Sequence, residues 1–209
     1  MRSIGRIADA TPASQEPGTT LRAPAMMKAI AVSVGTGPRI RLQSGAWLDL
    51  LDPEACEFTI EDIAHGLAHT CRYAGQADGF FSVAEHSLLV SAVCIGHELP
   101  ALLHDATEAF IGDVTRPLKQ LLPEYRQIER TLERAILARF GIEEMPAEVK
   151  EADLSVLAAE QAQVMPEGTD FWAAEAGIPP APVVVERLTP QDAKRRFLER
   201  YRELAASAI

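Results

Sequence analysis

At 209 residues, with 47% hydrophobic and 24% charged side chains, the chain is long enough to bury a sizeable core and too apolar to be disordered. A formal net charge of −10 and an isoelectric point near 5.0 argue against a nucleic-acid polymer or an anionic membrane as partner, although a metal ion and a local cation can still neutralise one small phosphate. No apolar run approaches the roughly 20 residues that span a bilayer, and no compact apolar stretch near the N-terminus marks a secretory signal. Cys56, Cys71 and Cys94 form no Cys-x-x-Cys pattern, so a cytoplasmic protein with three reduced core cysteines is expected.

Along the chain, residues 1–25 mix Ala, Thr, Ser, Pro and Gly with little periodicity, and 1–38 is expected to be a flexible or irregular segment. Met26-Met27 offers an alternative start. Residues 39–209 are read as a single domain. Arg39-Ile40-Arg41-Leu42 and Ala46-Trp47-Leu48-Asp49 flank Gln43-Ser44-Gly45, which predicts a small β-hairpin that must dock on helices to be stable. Helices are predicted near 61–71, 82–95, 99–111, 115–121, 124–140, 146–164 and 190–206. Thr59 caps the first, Gly141 stops the fifth, and Thr189-Pro190 opens the last. The proline-rich stretch 166–188 reads as a loop with one short helix around Phe171 to Ala176. The fold class is therefore all-α with an N-terminal hairpin.

Three of these helices carry polar residues where the core should be. His104 and Asp105 lie among Leu102, Leu103, Ala106, Ala109 and Phe110. Burying such a pair costs several kcal/mol unless its charge is compensated. A divalent metal ion would do this, and so would a simple His–Asp hydrogen bond. His86 shares a stripe with Leu89 and Val90, and Asp153 shares one with Val149, Val156 and Leu157. Two histidines and two aspartates from three helices make a mixed nitrogen and oxygen donor set, which favours one metal over coincidence. Mn, Co, Fe, Ni, Zn and Mg all accept such ligands.

The runs Val83-Ala84-Glu85-His86-Ser87, Leu103-His104-Asp105-Ala106-Thr107-Glu108, Ile111-Gly112-Asp113, Arg116-Pro117-Leu118-Lys119 and Val149-Lys150-Glu151-Ala152-Asp153 resemble the HD-domain metal-dependent phosphohydrolases. They are most similar to the branch containing bacterial 5′-deoxynucleotidases. The resemblance covers about residues 60–165. It implies an HD-domain helical bundle in which His86, His104, Asp105 and Asp153 hold one divalent metal. It makes Glu108 the acid that handles protons near the attacking water, and places Asp113 near the substrate sugar. Arg72, followed by Tyr73, resembles an arginine–aromatic pair that meets the phosphate. The implied substrate is a small phosphomonoester, foremost a nucleoside or deoxynucleoside 5′-monophosphate. A triphosphate hydrolase of the same fold is the nearest rival, and a non-catalytic, metal-stabilised binding module is the rival from another class.

The remaining candidates have plain readings beside the functional ones. No histidine follows His104, so extra histidines for a second metal are missing from the interval before Asp153. His65 and His69 have zinc-compatible spacing, but Gly66 stands where a metalloprotease needs glutamate, so structural or surface histidines are expected. Glu108, three residues after Asp105, would have a raised pKa if half-buried. Asp113 could equally be a turn residue. Lys119 and Arg116 could serve a phosphate or face water. Arg130, Arg134, Arg139 and the run Lys194-Arg195-Arg196 are read as solvated helix faces. A homodimer is compatible with the sequence.

Overall fold

The computed structural model describes residues 37–207. The flexible or irregular segment expected over 1–38, and the alternative start at Met26-Met27, fall almost wholly outside them. The described residues are mostly helical, with a single small antiparallel hairpin. No helix among them is long and apolar enough to cross a membrane.

The hairpin pairs β1 (Arg39–Arg41) with β2 (Trp47–Asp49), with Ile40 opposite Leu48. Leu48 is fully buried in the main core, which is how so short a ribbon is held. A second tie joins its turn to α1 (Ile60–His69): the Ser44 amide donates to Asp62 Oδ1. Asp62 also completes a capping box with Thr59, each side chain accepting from the other's amide. The predicted Thr59 cap is present, and reciprocal capping of this kind is worth about 1 kcal/mol.

From α1, Ile63, Ala64, Leu67 and Ala68 are buried. On another side of that helix Gly66 meets backbone: a Cβ there would lie 2.3 Å from the carbonyl oxygen of Ala109. Only glycine allows this approach. The next helix, α2 (Val83–Val93), is buried around most of its first two turns, from Val83 through Ser87. It is central and packs on α1, on α3 (Glu98–Leu103), on α7 (Ala147–Val164) and on α9 (Pro190–Ser207). Between α3 and α7 lie α4 (Glu108–Ile111), α5 (Arg116–Gln120) and α6 (Pro123–Arg139), and α8 (Phe171–Glu175) follows α7. Thr189 caps α9 through the Asp192 amide, and Gly141 takes a positive φ past the end of α6, both as expected.

Three expectations need correction. The helix predicted over 99–111 is broken, because α3 ends at Leu103 and α4 begins at Glu108. Between them the amides of Ala106 and Glu108 bond back three residues, to Leu103 and Asp105. These tighter turns re-aim the side chains at 104 and 105. The three cysteines are free, but only Cys94 is buried; Cys56 is half-buried and Cys71 is exposed, at the end of the α1 segment. Arg139 is exposed yet not merely solvated. Its guanidinium donates to the carbonyls of Phe58 and Cys56 and sits 4.0 Å from the Phe58 ring centroid, pinning the hairpin connection to α6.

Candidate metal centre and cavity

His86 projects from the buried start of α2, with no solvent exposure. Its Nδ1 lies 2.9 Å from Glu160 Oε2, which places a proton on Nδ1 and, in the neutral ring, leaves the Nε2 lone pair free. The same logic holds at His104, whose Nδ1 donates to the Ala101 carbonyl at 2.8 Å within the broken helix. The two bare Nε2 atoms then face each other at 3.2 Å. Two lone pairs cannot bond to one another. Two nitrogens at about 2.1 Å from a shared ion, meeting at between a right and a tetrahedral angle, would stand roughly 3.0 to 3.4 Å apart. The observed separation fits that arrangement.

Asp153, on α7, places Oδ1 3.3 Å from His86 Nε2 and 3.9 Å from His104 Nε2. His86, His104 and Asp153 thus form a group that could hold a metal ion, and among the described residues no other such group occurs. Asp105 lies beside them, with Oδ2 3.2 Å from His104 Nε2 and 3.6 Å from His86 Nε2. Lys150 takes the other oxygen of Asp153 at 2.6 Å. Burial opposes ionisation of both aspartates, but the neighbouring imidazoles outweigh it and hold both carboxyls below their usual range. Burial and Arg72 oppose charge on His86, yet Glu160 and Asp153 push its pKa up to about 9. The raised His86 value describes a negative potential, set by Glu160 and Asp153, that calls for a cation at this point, whether proton or metal.

His65 and His69 stack at 4.3 Å, and His69 Nδ1 meets the His65 carbonyl; Cys71 does not join them in a ligand group.

A cavity of about 590 Å³ opens beside the cluster, lined by Arg72, Asp105, Glu108, Asp113, Lys119 and Asp153 among others. The chain therefore brings every exposed-side candidate from the sequence to one cavity, with His86 and His104 behind Asp105 and Asp153. Glu108 is only 6% exposed, and its Oε2 is buried with no partner among the described residues. Burial first, then the charges of Asp105 and Asp113, push its pKa up to about 10. Its environment thus favours the protonated form. Asp113 follows Gly112, whose φ of 77° turns the chain out of α4, and burial raises its pKa as well. Tyr125 braces that turn by donating to the Gly112 carbonyl.

Arg72 lines the cavity but is largely committed. It donates to Glu160, lies 3.5 Å from Asp105 Oδ2, and keeps a buried Nε without a partner among the described residues. Lys119 is bonded to Glu129 at 2.6 Å. The backbone after Arg72 is strained: Tyr73 and Ala74 take φ of 56° and 51°, which costs of order 1–3 kcal/mol for side chains with a Cβ.

Glu160 is the residue that sequence reasoning missed. It is fully buried and collects Arg72, the Tyr73 hydroxyl at 2.6 Å and His86. Burial opposes its charge, but Arg72 and His86 win and keep it ionised. A carboxylate that orients a ligand imidazole is the usual outer support of a metal site. The signal was available: Glu160 is seven residues after Asp153, two helical turns along the same face.

No family model matches the chain. It is 38% identical over 153 residues to the uncharacterized protein YfdR of Escherichia coli (strain K12), a match covering 71% of this chain and 85% of that protein. An uncharacterized protein of Rhodobacter capsulatus is 44% identical over 124 residues, 54% of this chain; the match spans 63% of that relative's length. At that identity, and over that share of both chains, the chain belongs to the family of YfdR.

Proposed function

We propose that the chain is an HD-domain phosphohydrolase that cleaves a small phosphomonoester, foremost a nucleoside 5′-monophosphate. The observation that carries this reading is Glu108: a buried acid with an oxygen that has no partner among the described residues, in surroundings that favour its protonated form, on the same cavity as the His86–His104–Asp153 group. A structural metal site has no use for such an acid. A divalent ion held by these three residues, with Asp105 as a fourth ligand, would polarise a phosphate oxygen and make a bound water acidic enough to attack phosphorus.

The chain's own residues supply the rest. Glu108 delivers its proton to the leaving 5′-oxygen as the bond to phosphorus breaks. A phosphoryl oxygen would satisfy the orphaned Arg72 Nε. Asp113 accepts from a sugar hydroxyl. Glu160 holds His86 and Arg72 in register for both tasks. The supply of positive charge favours a monophosphate, because Arg72 and Lys119 are already shared with Glu160 and Glu129. Three phosphates would need more. The acidic chain likewise supports a small substrate in a cytoplasmic setting rather than a polynucleotide.

The test is hydrolysis of 5′-monophosphates, 3′-monophosphates, triphosphates and cyclic nucleotides, each with Mn, Co, Fe, Ni, Zn and Mg. Metal-dependent cleavage of 5′-monophosphates is expected. Preference for triphosphates or cyclic nucleotides overturns the substrate, and metal binding with no cleavage of any compound leaves a binding module.

A further inference from the structure

Phosphate chemistry does not account for the far side of the cavity. Leu154 and Leu157 line it from α7, one and four residues beyond Asp153, and Gln161 lines it one turn further on. Trp172, from α8, closes this row. It is half-buried, and its indole Nε1 donates to Gln161 Oε1 at 2.7 Å. That bond fixes the indole and turns the Gln161 amide nitrogen away from it. From Asp153 to Gln161 the helix advances about 12 Å. The cavity therefore runs from a charged end to an apolar, aromatic end over a span much longer than a phosphate.

Apolar side chains gain nothing from a phosphate or a hydrated sugar. A half-buried tryptophan beside two leucines gains from a flat ring laid on it, and its polar edge is already satisfied by Gln161. An amide nitrogen next to such a ring can donate to an acceptor on the ring's edge.

Building on the phosphomonoesterase reading, we infer that Trp172 is a specificity-determining residue: it stacks on a planar heteroaromatic ring carried by the leaving group, while the Gln161 amide nitrogen donates to that ring's edge. The substrate class narrows to phosphomonoesters with a nucleobase-like ring about two helical turns from the phosphate. Sugar phosphates of the same charge are handled by the charged end alone.

The test compares adenosine 5′-monophosphate with ribose 5-phosphate in the full-length protein. Trp172→Ala should lower kcat/KM for the nucleotide about tenfold or more, mainly through KM, the order expected for one lost stacked base. Ribose 5-phosphate should change by less than about threefold, as for an ordinary surface substitution. Trp172→Phe should restore most of the nucleotide activity. Equal losses on both substrates would make Trp172 a packing residue and overturn the inference, as would no loss on either. A second readout is independent of turnover. With Trp47 replaced by Phe and Glu108 by Gln, Trp172 is the sole tryptophan. Its fluorescence should be quenched saturably by adenosine 5′-monophosphate and not by ribose 5-phosphate. If the wild-type protein hydrolyses neither compound, the hydrolase reading fails while this titration still decides the stacking; absence of quenching there overturns it.

Discussion

Two buried glutamates on either side of the cavity behave in opposite ways. Glu160, behind the floor that Arg72 and Tyr73 form, is surrounded by donors from Arg72, Tyr73 and His86, which favour its ionised form. Glu108, on its wall, is pushed towards its protonated form by burial and by the carboxylates of Asp105 and Asp113. The residue type and the depth are the same; the partners differ. A carboxylate with both oxygens hydrogen-bonded fixes positions, whereas one with an unmet oxygen and a favoured proton is available to a substrate. The comparison separates support from chemistry without reference to any ligand.

The sharpest test is Glu108→Gln, which keeps shape and removes only the transferable proton. Turnover should fall about 10²- to 10⁴-fold, with metal content unchanged by elemental analysis. A fall of less than about tenfold would return Glu108 to a packing role. Glu160→Gln should show the reverse pattern. Metal affinity should weaken about 10- to 100-fold, read by competition with a chelator, because His86 loses its orienting carboxylate. The melting temperature should also drop, since Arg72 is left with Asp105 alone. If Glu160→Gln binds metal as tightly as wild type, the floor is not a support.

Gly66→Ala reaches Glu108 from behind. The added methyl meets the Ala109 backbone, next to Glu108, and should cost about 1–3 kcal/mol in urea unfolding. Turnover should fall with metal content intact. Equal loss of metal would mean that floor and wall move together. A further contrast is in the pH dependence of the chelator-treated protein. The folded pKa of Glu108 is raised from 4.5 to about 10, so its contribution is full below pH 4.5 and declines as pH rises towards 10. Glu108→Gln should therefore gain stability relative to wild type between pH 5 and pH 8. The folded pKa of Glu160 is lowered to about 2, so its contribution is present above pH 4.5 and lost as pH falls through that range. The deficit of Glu160→Gln should shrink from pH 5 to pH 3. Melting curves of both variants, with the same sign of slope, would contradict the contrast.

The helical stripes made His86 and Asp153 legible, because an apolar repeat interrupted by one polar residue points that residue inward. The hairpin was legible from alternation around Gly45, and the caps from Thr59 and Thr189. The break at His104–Thr107 was not, since three- and four-residue backbone bonds draw on the same residue types. Glu160 was passed over because glutamate on a long helix ordinarily faces water. Arg72 lines the cavity, but its commitment to Glu160 joins residues 88 apart in sequence, and no local pattern encodes that. Cys71 was placed in the core by residue type alone, and the end of a helix exposed it.

Glu85, the neighbour of His86 on α2, is buried at 2% exposure, and its two oxygens accept from the amides of Glu186, Arg187 and Leu188. The grip spans 101 to 103 residues of chain. During synthesis the start of α2 emerges long before the segment that satisfies this carboxylate. Until residues 186–188 arrive, ordering α2 would bury an unpartnered carboxyl beside His86. A nascent chain stalled between α7 and α9 should thus carry the metal-competent side chains without a settled site, and the site should mature only after translation has passed residue 188.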